Sequence, residues 1–126
     1  MSPSLYPVVS LITANSHLGR EFLRWVQPYA VQPRVFASGE AMLRDEQGAK
    51  TRLLLLAPKA PDIPLKDLLR RLRETGTAEV ICLDDQDDVP SAVDALRCGA
   101  VDILEVGKAE VGLVRHLQRI LANGMH

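Results

Sequence analysis

A chain of 126 residues has the length of one domain and is short for two. Hydrophobic residues at 47% and charged residues at 25% describe a globular chain that can build a core without disulfides or a metal. A net charge of −1 leaves no footprint for nucleic acid, residues 1–7 lack a signal-peptide pattern, and apolar runs such as 53–57 are far too short to span a bilayer. Cys82 and Cys98 stand in apolar or helical surroundings without ligand-pair spacing, which reads as a reduced, cytoplasmic chain.

Residues 8–13 form a short apolar run with two valines and an isoleucine, predicting a buried strand. From Leu18 the period changes. Leu18, Phe22, Trp25 and Val26 recur at helical spacing, and Pro28 closes that helix. Residues 34–37 read as a brief second strand, after which Ser38 caps a helix through Gln47 with Gly48 as its stop. Residues 53–57 are continuously apolar, as in a central parallel strand covered on both faces. Residues 58–64 hold three prolines and read as loop.

The second half repeats the scheme. Leu65, Leu68, Leu69 and Leu72 make an apolar helix face, surrounded by Lys66, Arg70, Arg71 and Arg73. Residues 79–83 read as a strand and 84–88 as an acidic loop. Pro90 suits the first turn of the next helix, which runs to Cys98 before Gly99. Residues 101–106 form the fifth strand, and Leu113, Leu117, Ile120 and Leu121 the buried face of the last helix. Five strands, each followed by a helix, imply an α/β sandwich with a parallel sheet, in the flavodoxin-like order 2-1-3-4-5. A single domain over residues 7–122 is expected.

The segment 88–105, DVPSAVDALRCGAVDILE, resembles the fourth helix and fifth strand of bacterial response-regulator receiver domains, with wording nearest the FixJ-like branch. Residues 35–41, VFASGEA, resemble that family's second strand and its turn. Pro61-Asp62 followed by Leu68-Leu69-Arg70-Arg71-Leu72 resembles its segment after the phosphoacceptor. The resemblance implies a regulatory domain of two-component type. It also implies Mg²⁺-dependent phosphoryl transfer to an aspartate, and there the sequence departs from the pattern.

Against the family's pattern, Ala14 and Asn15 stand at the acidic pair and Ala57 at the phosphoacceptor. Asp84 takes the Thr/Ser place, Val106 the lysine, and Gly107 the proline after it. Ile103 replaces the usual aromatic, and Leu65 a usual glycine. Alanine has no oxygen with which to attack a phosphoryl donor. Mg²⁺ is ordinarily held through one or two carboxylates, and Ala14 and Asn15 supply none. Val106 offers no charge to a phosphoryl dianion, and Asp84 would repel it. The expectation is a receiver fold without receiver chemistry: not an enzyme, with no cofactor and no metal.

Other candidates read as ordinary. Asp84, Asp85, Asp87 and Asp88 lack EF-hand spacing and read as a solvated loop with a helix cap. Asp62 and Asp67, as substitute phosphoacceptors, are weighed against surface roles. His17, His116 and His126 are scattered and read as solvent-facing. The basic face of Lys66, Arg70, Arg71 and Arg73 reads as solvated, and residues 107–112 lack the lysine and spacing of a phosphate-binding loop.

The implied function is signalling through protein contacts. The resemblance places the partner or weak-homodimer surface on the fourth helix, fifth strand and fifth helix, presenting Asp94, Arg97, Asp102, Arg115 and Arg119. A C-terminal effector in a longer regulator is compatible, with no direct nucleic-acid or membrane contact by this domain. Two alternatives stand beside it. One is a small-molecule sensor using the vacated pocket near Thr13, Asn15, Ala57 and Asp84; the other is a phosphorelay receiver with an unconventional aspartate.

Overall fold

The computed structural model describes residues 6–58, 62–76, 78–85 and 89–123. Five strands form one parallel sheet in the order β2-β1-β3-β4-β5: β1 Val8–Ile12, β2 Gln32–Phe36, β3 Leu53–Leu56, β4 Glu79–Asp84 and β5 Asp102–Glu105. The connecting helices are α1 Ser16–Val26, α2 Gly39–Arg44, α3 Leu65–Thr75, α4 Val89–Cys98 and α5 Ala109–Asn123. This is the flavodoxin-like topology expected from the alternation of strand and helix patterns.

Alternation along β3 divides the core in two. Leu53 and Leu55 face α1 and α5, where they meet Phe22, Trp25, Leu113 and Leu117. Leu54 and Leu56 face the other way, onto Met42 of α2 and Leu68, Leu69 and Leu72 of α3. All four leucines are essentially inaccessible, which explains a strand with no polar residue. A buried hydroxyl pair satisfies itself: Ser10 and Thr51 hydrogen-bond at 2.7 Å, and Thr51 Oγ1 donates to the Gly48 carbonyl.

Several boundaries differ from expectation, each for a local reason. The first helix begins at Ser16, because the Asn15 side chain caps it by accepting the Leu18 N–H at 3.0 Å. β2 starts at Gln32 and includes Pro33, which an edge strand tolerates. α2 ends at Arg44 rather than Gln47. The Asp45 carboxylate then accepts the N–H groups of Gln47 and Gly48 and directs a 3-10 turn over Gly48–Lys50. β4 runs on through Asp84, and β5 is trimmed to Asp102–Glu105, with Val106 opening a second 3-10 turn.

Helix α4 closes as its sequence suggested. The Gly99 N–H donates to the Leu96 carbonyl and the Ala100 N–H to that of Ala95, with Gly99 at φ +116°. That paired pattern is a Schellman turn, whose left-handed residue favours glycine. The acidic-loop and capping expectations for Asp87 and Asp88 fall outside the described residues, as do Pro61 and His126.

Candidate functional site

Parallel α/β sheets bind ligands beyond the carboxyl ends of their strands. Here those ends bring together the segments carrying Ala14, Asn15, Ala57, Asp84 and Val106. The Thr13 N–H donates to the Phe36 carbonyl at 2.9 Å and the Ala57 N–H to that of Ile12 at 3.0 Å, fixing β1 between its neighbours. Thr13 is buried, and its hydroxyl accepts the Asn15 N–H at 3.0 Å. Asn15 is thereby turned into the α1 cap, so its amide oxygen is already engaged. Ala57 is 7% exposed and places a methyl group immediately after the central strand. Val106 packs against the α1/α5 half of the core. Asp84 sits opposite Glu105 in the sheet register, and Glu105 Oε2 lies 3.7 Å from Lys108 Nζ.

These residues do not fit a Mg²⁺ site of the receiver kind. Hard divalent cations need carboxylate anchors, and of the five positions only Asp84 carries one. Among the described residues no three His, Cys, Asp or Glu side chains gather as a metal cluster. Nor is a thiol nucleophile available at Cys82, since burial pushes its pKa up to about 11.

Beside the strand ends, α1 and the start of α5 frame a groove of about 290 Å³. Leu18, Trp25 and Val106 line its apolar part, and Glu21, Arg24 and Glu110 its charged part. Arg24 makes two hydrogen bonds to Glu21, at 3.0 and 3.1 Å. That contact holds the Glu21 carboxyl below its ordinary value and raises the guanidinium.

Asp62 and Asp67 hold structural positions. Asp62 accepts the Gly39 N–H at 2.6 Å and that of Glu40 at 3.3 Å, and those bonds lower its pKa. Asp67 lies 3.6 Å from Arg70 on α3, and Arg71 lies 3.6 Å from Glu40 on α2, so part of the basic face is spent on ion pairs.

The residues proposed for partner contact divide into two groups. Asp94 and Arg97 on α4 and Arg115 on α5 are exposed. Asp102 and Arg119 are engaged within the chain. Asp102 hydrogen-bonds His116 at 2.8 Å, and Arg119 grips Glu79 at 2.6 and 2.9 Å while its NH2 lies 2.9 Å from His116 Nδ1. The Arg119 bonds hold the Glu79 carboxyl low and raise the guanidinium. His116 is therefore not solvent-facing: its side chain is 15% exposed and bridges two partners. The i, i+3 spacing of His116 and Arg119 was visible in the sequence. Their partners on β4 and β5 had no local signal.

No family model matches the chain, and no curated protein matches it. Solved structures do. A response regulator receiver protein from Pseudoalteromonas atlantica is 23% identical with a TM-score of 0.76, over 93% of this chain and 98% of that one. The BeF3-activated DrrB receiver domain is 20% identical with a TM-score of 0.77, over 93% and 98%. Full-length FixJ from B. japonicum is 18% identical with a TM-score of 0.76, over 94% of this chain and 59% of that one. At such identities the likeness speaks for architecture, and the chain has the fold of response-regulator receiver domains.

Proposed function

We propose that the chain is a receiver-like regulatory domain that does not accept phosphate and signals through protein contacts. The observation carrying this reading is Ala57: the residue immediately after β3, which lies between β1 and β4, has no atom to attack phosphorus. Ala14 and Val106, at two further strand ends, remove a metal anchor and a cation from the same place. Asp62, the aspartate nearest in sequence on the following segment, has both carboxylate oxygens on α2 amides. On this reading the domain is not an enzyme, works in the cytoplasm, and carries its output on α4, β5 and α5. That face combines charged Asp94, Arg97 and Arg115 with exposed Val93 and Leu96. A C-terminal effector, as in longer regulators, would be an attached partner.

Incubation with acetyl phosphate or beryllofluoride in the presence of Mg²⁺ tests it. Mass, Trp25 fluorescence and melting temperature should stay unchanged. A gain of one phosphoryl group, lost on Asp62→Asn or Asp84→Asn, overturns the reading.

A further inference from the structure

Arginine can only donate hydrogen bonds, so the 2.9 Å contact between Arg119 NH2 and His116 Nδ1 fixes the imidazole. Nδ1 is the acceptor and carries no proton. The proton is on Nε2, which donates to Asp102 Oδ2 at 2.8 Å. Neutral His116 thus completes a chain of four side chains: Glu79 at the start of β4, Arg119 and His116 on α5, and Asp102 at the start of β5. We propose that His116 is a proton-operated switch in this chain, whose neutral Nε2–H form holds Arg119 and whose protonation releases it.

The step is a single proton transfer from solvent to the Nδ1 lone pair. Nδ1 then bears an N–H aimed at an Arg119 N–H, and two cationic donors face each other. Arg119 has an alternative and His116 does not. The guanidinium keeps its two bonds to Glu79, while the imidazolium stays paired with Asp102. Asp102 on β5 favours the imidazolium and Arg119 on α5 opposes it. Glu79 on β4 holds Arg119 in place and is itself under the influence of Arg52, on the approach to β3. Arg115 adds a neighbouring exposed cation on α5. Histidine is the side chain whose ordinary charge change falls between pH 5 and 8, which sets the pH range over which the switch is tested.

The consequence for output rests on the proposed role of the α4–β5–α5 face, where Asp102 and Arg119 both contact His116, next in sequence to exposed Arg115. Acidification would loosen Arg119 from His116 and add one positive charge to α5. The switch itself is tested without any partner, so its failure is separate from failure of that role. Histidine ring nitrogen NMR on the full chain from pH 8 to pH 5 should show the Nε2–H tautomer of His116 converting to imidazolium. The Arg119 guanidinium and Glu79 amide resonances should move with the same midpoint. Arg119→Ala should uncouple Glu79 from that midpoint, and His116→Gln should abolish the coupled shift while circular dichroism reports an intact fold. An Nδ1–H tautomer at pH 8 overturns the proposal. So do Arg119 and Glu79 signals that ignore the His116 titration, or a Glu79 shift that persists in His116→Gln.

Discussion

The Asp62 carboxylate accepts the Gly39 N–H at 2.6 Å, tying the segment that follows β3 to the first turn of α2. With Ser38 Oγ accepting the Ala41 N–H at 3.0 Å, two side chains far apart in sequence share the orphan amides of one short helix. The bonds to Gly39 and Glu40 favour the ionised carboxylate, so the folded-state pKa lies below the unfolded one. The stabilisation is therefore present above the unfolded value and lost as pH falls through the folded one. Asp62→Asn should lower the urea midpoint at pH 6, and the gap from wild type should close as pH falls through the lowered folded-state pKa of Asp62. A gap that is constant with pH would show that the charge is not involved.

Restoring an acid at the end of β3 should not restore chemistry. Ala57→Asp places a carboxyl at a position 7% exposed, with Val106 where a lysine would be needed. Burying that group without a partner should cost about 2 kcal/mol. Mass spectrometry after acetyl phosphate and Mg²⁺ should find no phosphoryl adduct, because Ala14 and Asn15 still provide no metal anchor. An adduct on the introduced carboxylate of Ala57→Asp would show that the nucleophile alone was missing.

Gly48 is held by space rather than by φ. A Cβ there would fall 2.3 Å from the Met42 carbonyl oxygen and 2.9 Å from Phe36 Cζ. The carbonyl belongs to the α2 backbone and cannot rotate away as a side-chain tip would. Gly48→Ala should destabilise by about 1–3 kcal/mol, the usual range for overpacking. Gly76→Ala is the control, since nothing lies within 4 Å of its Cβ. Equal urea midpoints for the two variants would contradict the packing argument.

Much of this architecture was legible in the residues because burial and periodicity are local. The Leu53–Leu56 run could only be a strand covered on both faces, and Leu65, Leu68, Leu69 and Leu72 could only place one side of a helix inward. The proposed absence of phosphotransfer rests on residue identity alone: Ala57 and Val106 lack a nucleophilic oxygen and a cation in any conformation. What escaped depended on pairs far apart in the chain. Asp62 with Gly39, and Glu79 with Arg119, are separated by 23 and 40 positions. Each is an ordinary surface residue until the sheet brings its partner beside it. Asp45 redirected the chain after α2 by binding two amides, a turn that helix periodicity does not encode.

Self-association through the proposed output surface should be driven by Val93 and Leu96 more than by its charges. Val93 and Leu96 are 43% and 50% exposed and lie three positions apart, so they share one side of α4. Asp94 and Arg97 on the same helix and Arg115 on α5 are also exposed and carry both signs of charge. Exposed ion pairs contribute only about 0–1 kcal/mol each and weaken with salt. Burying Leu96 against a second copy contributes about 1.5–3 kcal/mol at most, and salt does not screen it. Asp102 and Arg119 contribute less than a bare charge count suggests, because each already has a partner within the chain. Light scattering across concentration should therefore show weak self-association. Leu96→Asp should remove it at any ionic strength, and Arg115→Glu should weaken it only at low salt. If both variants scatter like wild type, and a partner binds all three equally, the contact surface lies on another face.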